Sequence, residues 1–186
     1  MEKIPVGVIG ATGMVGQNYL RLLDNHPWFE VTYLAASPRS AGKSYAEAVA
    51  GRWVMDADIP AAVSGLIVHD AAEIEEAEGQ CAFVFSSVEL DKKAIRETED
   101  AYAAAGIPVV SNNSAHRGTP DVPVLIPEIN SGHIDIIPEQ QKKRGWDKGF
   151  VVVKPNCSVH NSLAPMQALR EAGFPIVRAF VATLQA

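Results

Sequence analysis

The sequence predicts an α/β protein built on a doubly wound parallel sheet, and three observations carry that expectation. Short apolar, β-branched runs alternate along the chain with segments whose apolar residues recur at helical spacing. A glycine-rich turn stands between the first run and the first helical segment. Glycine, proline or polar clusters punctuate the junctions.

Taken in order, residues 4–10 read as a strand, and residues 14–23 as a helix with Val15, Tyr19, Leu22 and Leu23 on one side. Phe29–Ala36 is a second strand, residues 66–68 a third and residues 81–85 a fourth, buried one. Residues 91–105 form a helix that Asp91 can cap, closed by Gly106 and Pro108 before Val109 and Val110 resume as strand. The crossovers are expected to be right-handed. Residues 119–130 are proline-rich and extended, and residues 132–149 are polar and peripheral. A strand at 150–153, a helix at 158–172 ended by Gly173 and Pro175, and a strand at 177–184 complete the chain. That last strand is apolar and has no helix after it, whereas such a strand needs neighbours on both faces. The expectation is therefore a nucleotide-binding domain over 1–149, with 150–186 opening a second, α+β domain present only in its first elements.

Composition narrows the function. With 186 residues, 47% of them hydrophobic, the chain can bury a core. A net charge of −6 argues against a nucleic-acid or anionic-membrane partner, so a small anionic ligand requires a local positive site. No stretch approaches a membrane span, and the amino terminus lacks a signal peptide's order, which predicts a cytoplasmic protein. The two cysteines, Cys81 and Cys157, are too few for a disulfide framework and lack zinc-site pairing; no metal is expected. There is no internal repeat.

Three places carry chemistry. The turn from Gly7 to Gly16 gives Gly10, Ala11, Thr12, Gly13, Met14 and Val15 as candidates for binding the pyrophosphate of a dinucleotide, because glycines let the backbone approach it and helix amides hold it. The plainer alternative is a tight turn without a ligand, since glycine every third residue is not the standard Rossmann spacing. After the second strand the chain offers no acid for ribose hydroxyls; Ser37, Arg39 and Ser40 instead supply one cation and two hydroxyls, which suits the 2′-phosphate of NADP unless the loop is merely solvated. Ser86 and Ser87, ending the fourth strand, either border the cofactor or form a turn. Asn156 is placed to cap the helix that starts at Cys157, where unpaired amides stabilise a thiolate; the alternative is a structural cysteine, the state expected of Cys81. His160 shares a helix face with Cys157 but reads better as a packing residue than as its base, and His116 gives only weak evidence of an anion site.

With those residues in view, the chain resembles the aspartate-semialdehyde dehydrogenases along its whole length, in wording closest to their archaeal and fungal branch. The likeness rests on Gly10-Ala11-Thr12-Gly13-Met14-Val15-Gly16-Gln17, Ser37-Pro38-Arg39-Ser40-Ala41-Gly42-Lys43, Ser111-Asn112-Asn113-Ser114-Ala115-His116-Arg117, Val122-Pro123-Val124-Leu125-Ile126-Pro127-Glu128-Ile129-Asn130, Lys154-Pro155-Asn156-Cys157-Ser158 and Thr183-Leu184-Gln185-Ala186. The resemblance implies that Cys157 is the nucleophile, that Gln185 orients the acyl intermediate, and that Arg117 and Asn156 contact the substrate. It implies NADPH-dependent reduction of aspartyl phosphate through a cysteine thioester, in amino-acid biosynthesis (lysine, threonine, methionine), by a homodimer or homotetramer. The family's acid/base histidine and second arginine have no counterpart in these 186 residues, so the second, catalytic domain is expected to be truncated and the chain inactive alone. Two rivals remain open: another acyl-phosphate or acyl-CoA reductase such as a malonyl-CoA reductase, separable by substrate assays, and a non-catalytic NADP-binding module, separable by the length of the encoded reading frame.

Overall fold

The computed structural model describes residues 2–184. Six parallel strands, β1 (Ile4–Ile9), β2 (Phe29–Ala36), β3 (Val68–Asp70), β4 (Phe83–Ser86), β5 (Val109–Ser111) and β6 (Val151–Val153), form one sheet in the order β3-β2-β1-β4-β5-β6. The chain winds outward from β1 in both directions, so β1 and β4 flank the switch point where such sheets hold their ligands. Successive residues of the central strands enter opposite cores. Val8 and Leu34 pack with Leu20 and Tyr45 on one face, and Ile9 and Ala35 with Tyr102 and Val151 on the other. Burial on both faces is why these strands read as continuous apolar runs.

The helices are α1 (Met14–Leu23), the single turns α2 (Tyr45–Ala48), α3 (Ala61–Ser64) and α5 (Pro127–Asn130), and the longer α4 (Lys92–Ala104), α6 (Ile137–Arg144) and α7 (Cys157–Glu171). Asp91 caps α4 by accepting from the amides of Lys93 (2.8 Å) and Ala94 (3.1 Å), and Asn156 caps α7 by accepting from Ser158 (2.8 Å).

Four expectations change. The third and fourth strands lie one to two residues later than their apolar runs, at Val68–Asp70 and Phe83–Ser86. The segment 132–149 is not simply peripheral: it contains α6, whose Gln140 is fully buried and donates to the carbonyls of Asp121 (2.6 Å) and Val151 (3.0 Å) while accepting from the Val151 amide (2.7 Å). The division at 149/150 cuts the sheet, because β6 pairs with β5 from Val109↔Val151 to Ser111↔Val153. Finally, residues 177–184 form no strand; Val177 is 94% and Phe180 90% exposed. A strand needs a neighbour to take its backbone hydrogen bonds, and none of the described residues offers one there. Among the described residues, no helix is long and apolar enough to cross a membrane and no cluster of metal-ligating side chains occurs.

Candidate active site

Backbone hydrogen bonds bring the carboxyl ends of the strands level. Gly10 and Ala11 both donate to Ala35 O (2.8 and 3.0 Å), Ser87 N to Ile9 O (2.9 Å), Asn112 N to Ser86 O (2.9 Å) and Lys154 N to Ser111 O (3.0 Å). The glycine turn, the Ser37–Arg39 loop and the Asn156–Cys157 turn therefore share one edge of the sheet.

The turn needs its glycines for space. Gly10 has φ +79°, and a Cβ there would stand 2.5 Å from the Ser87 carbonyl. The Ser87 hydroxyl donates to Ile9 O (3.2 Å), tying β4 to the turn, and the buried Tyr45 hydroxyl donates to Ala11 O (3.0 Å). Gly13 stands at the N-cap of α1 and offers no side-chain cap. Its first-turn amides are thus left for another acceptor, which fits a pyrophosphate.

A cavity of about 370 Å³ opens at this edge, and of the expected cofactor residues it is lined by Gly10, Thr12, Gly13, Ser37, Arg39 and Ser87. Ala11, Met14, Val15, Ser40 and Ser86 do not line it. Ala11 and Ser40 are buried, and Met14 is exposed at the start of α1. Ser86 is corrected more firmly. Its hydroxyl donates to Glu99 Oε1 (2.6 Å), as does that of Ser111 (2.6 Å), and Asn113 Nδ2 adds a third bond (3.1 Å). Glu99 is fully buried, so Ser86 faces an internal polar network rather than a ligand. His116 belongs to the same interior: it is 1% exposed, with Nε2 3.3 Å from Asp100 Oδ1 and 3.9 Å from Glu99 Oε2. A larger open depression of about 510 Å³, bordered by Pro120, Asp121 and Lys143, carries none of the site residues.

Cys157 is the first residue of α7 and is exposed. Arg117 donates through Nε to the backbone carbonyl of Lys154 (3.0 Å). Burial first, and then the Arg117 charge, lower the Lys154 pKa, while Cys157 acts in the opposite direction. Lys154, quoted in the motif without a role, is thus a cation that feels both the Arg117 charge and the Cys157 thiol. Asn156 serves as the cap, and Gln185 lies outside the described residues. Among the described residues no side chain hydrogen-bonds the Cys157 thiol, His160 included. Sequence reasoning also missed Arg52, Asp70 and Glu89 in the cavity lining, for which no local motif exists.

The two thiols differ in a measurable way. Burial pushes the Cys81 thiol up to about 11, so near pH 8 its thiolate fraction is on the order of one in a thousand. Alkylation of the folded protein followed by peptide mass mapping is expected to label Cys157 first; faster labelling of Cys81 would contradict the assignment.

The chain is similar to known proteins in both sequence and fold. Residues 5–137 match the family model described as semialdehyde dehydrogenase, NAD binding domain. Aspartate-semialdehyde dehydrogenase from Methanothermobacter thermautotrophicus is 43% identical over 98% of this chain and 50% of its own, and that from Cryptococcus neoformans is 40% identical over 99% and 49%. Among solved structures, aspartate semialdehyde dehydrogenase with NADP from Candida albicans superposes with a TM-score of 0.77 at 35% identity, covering 94% of this chain and 48% of that one. The chain spans about half the length of the curated relatives it matches. By a match that covers most of its length, the protein belongs to the semialdehyde dehydrogenase family through its NAD-binding domain, with aspartate-semialdehyde dehydrogenases of archaea and fungi as its relatives.

Proposed function

We propose that this chain is the cofactor-binding and nucleophile-bearing portion of an NADP-dependent aspartate-semialdehyde dehydrogenase. The observation that carries the proposal is the placement of an uncapped glycine-turn helix, an arginine-bearing loop and an exposed helix-start cysteine on one sheet edge. The Candida albicans relative was solved with NADP.

In this reading the glycine-turn amides hold the pyrophosphate, and Arg39 with Ser37 receives the 2′-phosphate. The Cys157 thiolate attacks the acyl carbon of aspartyl phosphate, the bond to phosphate breaks, and a thioester remains on the sulfur. Amides at the start of α7 face the developing oxyanion, and Arg117 and Lys154 attract the substrate's phosphate or carboxylate. NADPH, when bound, supplies the hydride that reduces the thioester carbonyl carbon. Gln185 orients the acyl group, and the segment after β6 begins a catalytic and dimerisation domain. On the family resemblance the activity is cytoplasmic and belongs to a homo-oligomer.

Among the described residues no base hydrogen-bonds the Cys157 thiol, so this 186-residue chain is expected to take an acyl group slowly without sustained turnover. Incubation with aspartyl phosphate followed by intact-mass and peptide analysis should find one aspartyl group on Cys157 and none in Cys157→Ala. A steady-state assay with aspartate semialdehyde, phosphate and NADP should not exceed that variant. Acylation spread over lysines would refute the nucleophile, and turnover lost in His160→Ala would make His160 the base.

A further inference from the structure

The cavity that holds Arg39 is lined by a second arginine, Arg52. Arg52 reaches it because of how the segment between β2 and α3 is built. Ser44 and Glu47 form a reciprocal cap on α2, with Ser44 N donating to Glu47 Oε2 at 3.0 Å and Glu47 N to Ser44 Oγ at 3.4 Å. Tyr45 is buried against the glycine turn, and Gly51 turns the chain at φ +70°.

Gln17 then fixes the next residues. It is 2% exposed on α1, and its Nε2 donates to Arg52 O (2.9 Å) and to Thr12 O (3.0 Å), while its Oε1 accepts from Val54 N (2.9 Å). Arg52 is thus stitched through its own backbone to the turn that cradles the pyrophosphate. Its guanidinium donates to Ala48 O, which leaves most of its donors for another acceptor.

Among the described residues neither Arg39 nor Arg52 forms an ion pair, although the chain's net charge is −6. Two carboxylates do line the cavity. Asp70 accepts from the Ala72 amide (3.0 Å), and Glu89 stands at the glycine turn, 3.1 Å from where a Gly13 Cβ would sit. Neither neutralises the arginines. Both arginines lie on the 37–60 segment, while Asp70 stands beside Ala36 at the end of β2 and Glu89 at the glycine turn. A dianionic group is the ligand chemistry that a cavity lined by two arginines without ion-pair partners among the described residues fits.

We propose that Arg52 is a specificity-determining residue that grips the 2′-phosphate of NADP together with Arg39. The proposal rests on the reading that this cavity takes NADP, and it adds a residue which neither the glycine motif nor the Ser37–Arg39 loop flags.

Calorimetric titration of the chain with NADP, NAD and 2′,5′-ADP tests it, with thermal melting as a check on the fold. Arg52→Ala is expected to weaken NADP and 2′,5′-ADP about 10-fold or more, the scale of a hydrogen bond to a charged group, and to leave NAD within about twofold. Arg52→Lys, which keeps the stem and the charge, should retain part of the affinity. In the double variant with Arg39→Ala, the combined loss should fall short of the product of the single losses, because both side chains serve one phosphate. Unchanged NADP binding in Arg52→Ala, or equal losses for NADP and NAD, would overturn the role of Arg52 while leaving the cavity's reading intact. A parent chain that binds neither NADP nor 2′,5′-ADP would overturn both.

Discussion

Replacing Gly16 by alanine is expected to destabilise the fold by more than about 3 kcal/mol and to abolish cofactor binding with it. Helix propensity alone points the other way, since alanine outranks glycine by about 1 kcal/mol inside a helix. Sterics decide the sign. A Cβ at Gly16 would stand 2.2 Å from Gly10 O and 2.7 Å from Ala11 Cα, and both are backbone atoms that cannot rotate away. Making room means lifting α1 off the glycine turn, which breaks the paired bonds from Gly10 and Ala11 to Ala35. Gly65→Ala is the control: nothing lies within 4 Å of its Cβ position and its φ is −93°, so a change within about 0.5 kcal/mol is expected. Urea denaturation of the two variants measures this. A Gly16→Ala midpoint at or above that of the parent chain would show that the turn is not packed as described.

Arg39→Ala is expected to act on binding and not on folding. The side chain is exposed, and the loop around it is held by backbone groups, with Ser40 N donating to Ser37 O (2.9 Å) and Lys43 Nζ to Arg39 O (2.9 Å). Truncation leaves those bonds in place. What it removes is a planar fork with no ion-pair partner among the described residues, poised for two charge-assisted bonds to a phosphate. NADP affinity should fall about 10- to 100-fold and NAD affinity hardly at all. The NADP loss should shrink as salt is added, because an exposed cation is screened. A loss shared equally by both cofactors would show that Arg39 does not read the 2′-phosphate.

The features legible in the sequence were those written locally. Strand alternating with helix, the glycine turn, and the Asp91 and Asn156 caps each depend on residues within a few positions of one another. Cys157 was accordingly found at the start of α7 from its neighbours alone. The features missed depend on distant partners. Ser86 looked like a ligand contact because it ends a central strand, but its position is set by Glu99 on α4. Arg52 has no motif, and its placement at the cavity depends on the long-range bonds of Gln17. Residues 177–184 have the composition of a strand, yet composition does not supply the neighbour that a strand requires. Helix α6 was obscured by its polarity, which hid the single buried Gln140 facing β6.

The central claim is that the cavity between the glycine turn and the Ser37–Arg39 loop is a cofactor site that selects the 2′-phosphate. Calorimetric titration of the unmodified chain with NADP and with NAD tests it most directly. The account predicts saturable binding of NADP at one site per chain, about 10-fold or more tighter than NAD. Equal affinities for the two cofactors, or no binding of NADP, would contradict it.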